Sequence, residues 1–154
     1  MGRILSIAGI IFSILFFSSF TQKPDSTTVK KSSSTEFVKE MTKRSFIKEV
    51  YDYRRKSTPW LYKGKKPAVI VLYANWCSPC RQMSTIVSQL AEEYNGKVRF
   101  FKINIDNEKE LCDYWKADYI PLFIFIPMYE EPQRQCGTMD KDVLRAKIDN
   151  ILFN

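Results

Sequence analysis

Ala74-Asn75-Trp76-Cys77-Ser78-Pro79-Cys80 places two thiols one helical turn apart, after a run of apolar β-formers and before a helical pattern. With Cys77 at the start of that helix, unpaired backbone N–H groups and the helix dipole stabilise its thiolate. A thiolate is the form that attacks disulfides. Cys80 can then resolve the mixed disulfide, and Pro79 fixes φ where its missing N–H costs little. The stretch therefore reads as a dithiol/disulfide couple on a strand-to-helix turn.

Two other readings of C-x-x-C stand beside this one. Zinc would need two further ligands, and the chain has no histidine, only Cys112 and Cys136, which do not form a second C-x-x-C. An inert structural disulfide would close so short a loop that it removes little entropy from the unfolded chain.

Of 154 residues, 45% are hydrophobic and 27% charged, enough for one globular domain with attachments. Arg3, a mostly apolar stretch at residues 4–17 and the small polar Ser18 and Ser19 read as an export signal over residues 1–21. The apolar run falls short of the roughly 20 residues of a membrane span, and an uncleaved anchor is the alternative. Residues 22–35, rich in Lys, Ser and Thr, read as a flexible tether. The formal charge of +7 would become +6 (23 basic against 17 acidic residues) if Arg3 left with the signal. These charges are scattered, which fits solubility and argues against nucleic-acid binding. All four cysteines follow the signal, in a part destined for a compartment where disulfides persist.

The domain is expected over residues 36–154. A strand at 36–41 precedes a helix capped by Thr42, with Phe46, Ile47, Val50 and Tyr51 on its apolar face and its end near Lys56. A loop over 57–66 carries Trp60 and Tyr62, which cover an edge of the core. Residues 68–74 form an apolar run suited to a central strand. The helix after the cysteines buries Met83, Ile86, Val87, Leu90 and Ala91 and stops at Asn95-Gly96. A strand over 98–105 leads to a short helix capped by Asp106 or Asn107 and running to Trp115. The hairpin 122–126/133–136 and a last helix from Asp140, burying Val143, Leu144, Ile148, Ile151 and Leu152, complete a mixed sheet between helices. The fold class is α/β, in three α/β/α layers.

The order of elements and three separated landmarks resemble the thioredoxin family: residues 73–80, then Lys102-Ile103-Asn104-Ile105-Asp106, then Ile120-Pro121. Residues 60–67 and 125–128 look closest to exported bacterial thioredoxins of the Bacteroidetes kind. The resemblance implies that Cys77 is the nucleophile and Cys80 the resolving thiol. It makes Pro121 a cis-proline, with Ile120 offering backbone hydrogen bonds to an extended substrate. Trp76, Ser78, Pro79, Ile120 and Gly137 would line the groove. Where the family usually carries a buried Asp, this chain has Val71, and Lys102 matches the Lys normally beside that Asp. The resolving thiol thus lacks its usual base. Ser78 also replaces a usual Gly. Cys112 and Cys136 are extra and read most simply as small buried hydrophobes, a bridge between them being the alternative.

The expected activity is thiol-disulfide exchange, reducing disulfides of exported proteins without metal or organic cofactor. A monomer in the periplasm or tethered to the membrane is expected, with a membrane thiol electron donor implied by the resemblance. The alternatives are a thiol oxidase or isomerase on the same fold, or a binding module that uses the groove without turnover.

Overall fold

The computed structural model describes residues 37–55 and 59–153. The expected signal and tether lie outside them, as do Glu36, Lys56 and Ser57. Nine elements follow in the order β1 (Val38–Glu40), α1 (Lys43–Glu49), β2 (Ala68–Tyr73), α2 (Ser78–Glu93), β3 (Arg99–Asn104), α3 (Lys109–Trp115), β4 (Leu122–Ile126), β5 (Gln133–Cys136) and α4 (Lys141–Leu152).

The sheet runs β1-β3-β2-β4-β5. β1, β3 and β2 are mutually parallel, β4 is antiparallel to β2, and β5 is antiparallel to β4. β2 is the central strand, as its unbroken apolar run predicts, and Ala68 through Leu72 are all buried. Successive side chains go to opposite faces. Val69 and Val71 therefore join Phe123 and Phe125 of β4, Met83, Val87 and Leu90 of α2, and Leu144, Ile148 and Leu152 of α4. Ala68, Ile70 and Leu72 join Phe46 and Val50 from the α1 segment and Leu111 and Trp115 of α3. Two apolar clusters on the two faces of one sheet make the three layers.

Local chemistry explains where the elements stop. Thr42 caps α1 in a reciprocal box with Ser45. α1 ends at Glu49, not near residue 56: Val50 caps it, and Tyr51 packs on Trp60 with ring centroids 4.6 Å apart. Tyr62 is buried as expected and donates its hydroxyl to the Lys66 carbonyl at 2.8 Å. Gly96, at φ +79, ends the turn after α2 in a conformation that favours glycine.

Two further expectations are corrected. α3 begins at Lys109 with Glu108 at its N-cap, because the Asp106 N–H donates to the Asn104 side chain at 2.9 Å and holds residues 104–106 in a turn. Val143 is exposed, whereas Leu144, Ile148 and Leu152, at i, i+4, i+8, carry the buried stripe of α4.

This topology decides which residues can meet. The C-terminal ends of parallel β1, β2 and β3 lie at one edge of the sheet, and antiparallel β4 starts there. Glu40, Tyr73, Asn104 and Pro121 thus share the end from which α2 departs.

Candidate functional site

β2 runs into a tight turn in which the Cys77 N–H donates to the Ala74 carbonyl at 3.2 Å. Cys77 is the N-cap of α2, in extended backbone at φ −78, ψ 104. Its sulfur accepts the Cys80 N–H at 3.1 Å, so one of the helix's unpaired donors is aimed at the atom that would carry the thiolate charge. Pro79 lies in the first turn, where no intrahelical partner is lost. Cys77 and Cys80 are joined as a disulfide with Cα atoms 5.3 Å apart. Both are buried, at 4% and 6% exposure.

The surroundings differ on the two sides of the pair. Toward solvent stand Trp76, 67% exposed, with exposed Ser78 and Pro79. Trp76 donates its indole N–H to Asp106 at 3.2 Å, which ties it to the turn held by Asn104. The Ile120–Pro121 peptide is cis, and the Ile120 carbonyl oxygen lies 3.9 Å from the Cys77 sulfur. Gly137, at φ +92, donates its N–H to the Pro121 carbonyl at 2.9 Å and so meets the site through the backbone of Pro121. Ala74, Cys77 and Cys80 form a small apolar cluster on which Tyr73, Ile105 and Ile120 pack.

Away from Cys77, Cys80 borders a cavity of about 130 Å³ lined also by Val38, Val71, Tyr73, Ser84, Val87, Ser88 and Lys102. Lys102 therefore lines the same cavity as Cys80. Its ammonium is 3.3 Å from the Glu40 carboxylate, which also accepts from the Tyr73 hydroxyl at 3.2 Å. Burial and the Glu40 charge push the Tyr73 phenol above its ordinary range, so it stays protonated at neutral pH. Glu40 and Tyr73 escaped the sequence reading, although Glu40 interrupts the alternation of β1 opposite another charged residue, Lys102.

Cys112 and Cys136 are free thiols, not the buried hydrophobes expected. Cys112 is half-buried, its sulfur 3.8 Å from the Ala117 carbonyl, and burial beside Asp113 pushes its thiol up. Cys136 is exposed because β5 is an edge strand with polar neighbours, and its sulfur is 3.9 Å from the Tyr119 carbonyl.

A C-x-x-C pair capping a helix opposite a cis-proline fits one family model in particular: residues 37–150 match the model described as Thioredoxin. The chain belongs to the thioredoxin family. It is 31% identical over 102 residues to a thioredoxin of Borreliella burgdorferi, covering 66% of this chain and 86% of that one. It is 32% identical over 90 residues to a chloroplastic M-type thioredoxin of Brassica napus, covering 58% of this chain but only 51% of the relative. In structure it resembles chloroplastic thioredoxin z with a TM-score of 0.62 at 20% identity, over 74% of this chain and 93% of that one, a likeness of fold. The redox pair and the family together make the chain a thiol-disulfide oxidoreductase that reduces protein disulfides.

Proposed function

We propose that this thioredoxin reduces disulfides of exported proteins, with Cys77 as attacking thiol and Cys80 as resolving thiol. The observation that carries the assignment of roles is the asymmetry of the pair. The Cys77 sulfur sits at the helix N-cap beside the Ile120 carbonyl and the exposed Trp76, whereas Cys80 lines a separate cavity with Val71 and Lys102. An extended substrate segment laid along Ile120 and Pro121 would bring its disulfide to Cys77, and the exposed apolar Trp76 supplies contact area without sequence selectivity. The Cys77 thiolate attacks one substrate sulfur. Cys80 then attacks Cys77, and the substrate leaves as a dithiol.

The direction of exchange follows from what stabilises the thiolate. The chain has no histidine, the Arg81 guanidinium is engaged with the Asn75 carbonyl at 3.1 Å, and the first turn of α2 supplies one N–H to the Cys77 sulfur. A strongly stabilised thiolate would make the couple an oxidant, so the proposed reducing direction expects this support to be modest. The expected reduction potential lies nearer about −270 mV than about −120 mV, the range between a reducing thioredoxin and a strong oxidase. Equilibration with a defined dithiol buffer reads it directly.

Export is supported by Arg3 and the apolar residues 4–17, by the basic tether and by the resemblance at 60–67 and 125–128 to exported thioredoxins. Outside the cytoplasm the pair would be recharged by a membrane thiol donor. The test is the full chain carrying Cys80→Ser, expressed in its own cell. Proteins held on Cys77 as mixed disulfides are expected to carry export signals. A catch made of cytoplasmic proteins would sink the exported-substrate reading while leaving the chemistry intact.

A further inference from the structure

Resolution needs more than proximity. Cys80 must lose a proton before it can attack, and at 6% exposure it has little access to bulk solvent. The position across the sheet from Lys102 on β2 is Val71, which cannot take a proton. A base, if the chain has one, must be reached through the cavity behind Cys80.

That cavity has a polar end. Tyr73 and Lys102 line it, and both are fastened to one carboxylate: Glu40 accepts the Tyr73 hydroxyl at 3.2 and 3.3 Å from its two oxygens and faces the Lys102 ammonium at 3.3 Å. The three residues come from three adjacent strands, Glu40 and Tyr73 from the last positions of β1 and β2 and Lys102 from within β3, with Glu40 and Lys102 paired in register. Lys102 also stands 5.3 Å from the Tyr73 ring centroid, so the cluster is held from two directions. The cavity volume of about 130 Å³ admits several waters, and the lining residues Ser84, Ser88, Tyr73 and Lys102 carry the kinds of polar group that such waters require. The Glu40 side chain is 47% exposed, so a proton received from inside can leave to bulk solvent.

We propose that Glu40 is the terminal proton acceptor and donor for Cys80, acting through Tyr73 and water in this cavity. In the reducing direction the Cys80 S–H gives its proton to a cavity water. The Tyr73 hydroxyl passes its own proton to Glu40 and takes one from that water. The Cys80 thiolate forms a bond to the Cys77 sulfur as the bond from Cys77 to the substrate sulfur breaks. The electron pair departs on the substrate sulfur, which is protonated by solvent, and Glu40 returns its proton to bulk water. In re-reduction the same path runs backwards. Glu40 is a positioning residue in the sense that it acts through Tyr73 without touching sulfur.

This assignment rests on disulfide reduction by the Cys77/Cys80 pair, and the two steps of that reaction separate the two claims. The charged and titratable groups near the path are Glu40 on β1, Tyr73 on β2 and Lys102 on β3, with Cys80 itself on α2. Attack by Cys77 on a model disulfide and release of substrate thiol from the mixed disulfide are measured by stopped flow from pH 6 to 9.5. Glu40→Gln is expected to leave attack within about twofold and to slow release about tenfold near pH 6.5, less than the roughly hundredfold or more typical of general acid–base catalysis because solvent competes. The slowing should shrink steadily as pH rises, because hydroxide then competes with Glu40 for the thiol proton. Glu40→Gln with Lys102→Gln, which removes both charges, should behave alike and so excludes a simple field effect. Tyr73→Phe should slow release at low pH, and adding Val71→Asp to Glu40→Gln should restore it. Release profiles of Glu40→Gln and wild type that superimpose, or slowing that is equal at every pH, would overturn the relay. Absence of attack by the wild-type chain would instead overturn the reductase reading.

Discussion

Cys77→Ser is expected to leave disulfide reduction at the rate of the added reductant alone, a loss on the order of a thousandfold or more, as when a covalent nucleophile is removed. The sulfur is needed twice. It is the nucleophile whose anion the Cys80 N–H supports at 3.1 Å, and it is the atom that Cys80 must strike to free the substrate. A serine hydroxyl ionises too weakly for the first task and forms no disulfide for the second. Cys80→Ser should behave differently: Cys77 still attacks, but the mixed disulfide persists and turnover stops near one equivalent. Mass spectrometry of the adduct and release of the first thiol measure both effects. Cys112→Ser and Cys136→Ser serve as controls and should keep turnover, since neither sulfur is bonded to the Cys77/Cys80 pair. Steady turnover by Cys80→Ser at the wild-type rate would mean that another thiol resolves the intermediate.

The asymmetry behind these two outcomes was partly legible in the sequence. The unbroken run Ala68 to Tyr73 followed by Cys77-Ser78-Pro79-Cys80 could be read as strand, turn and helix because each step has a local cause: β-branched burial, a capping sulfur, a proline in the first turn. The hairpin of β4 and β5 and the stripe Leu144, Ile148, Leu152 had equally local signals. What the sequence concealed depends on contacts between distant segments. The start of α3 moved because Asn104 captured the Asp106 N–H, and Asp106 in turn was free to take the Trp76 indole. Glu40 looked like one more charge on a short strand until the register placed it opposite Lys102 and beside Tyr73. Val143 was apolar at helical spacing, but the three-residue stripe already filled the face toward the sheet. Pattern gives a periodicity; only packing chooses which side of it is buried.

The largest stability effect should come from a residue far from the thiols. Phe46→Ala is expected to cost about 3–5 kcal/mol, as for aromatic truncations in a closed core. α1 is seven residues long, too short to persist on propensity alone, and Phe46 is its one buried side chain. Its ring meets Tyr114 and Trp115 of the α3 segment at 6.0 Å each and Tyr53 at 6.1 Å, so a single side chain pins α1 to the outer layer. Truncation would leave a cavity bounded by rigid rings that cannot collapse into it, the condition under which such losses are greatest. Against a typical domain stability of about 5–15 kcal/mol the loss is severe. With urea dependences of about 1–3 kcal/mol/M, the unfolding midpoint should fall by on the order of 2 M. Phe46→Leu, which keeps most of the volume, should lose far less. Because Phe46 packs on the sheet face opposite that of α2, molecules that remain folded should attack disulfides at the wild-type rate. A midpoint unmoved by Phe46→Ala would show that α1 is held by its Thr42 cap and by ion pairs such as Lys43 with Glu110, at 2.6 Å and exposed, which the physics of surface charges ranks well below a buried ring.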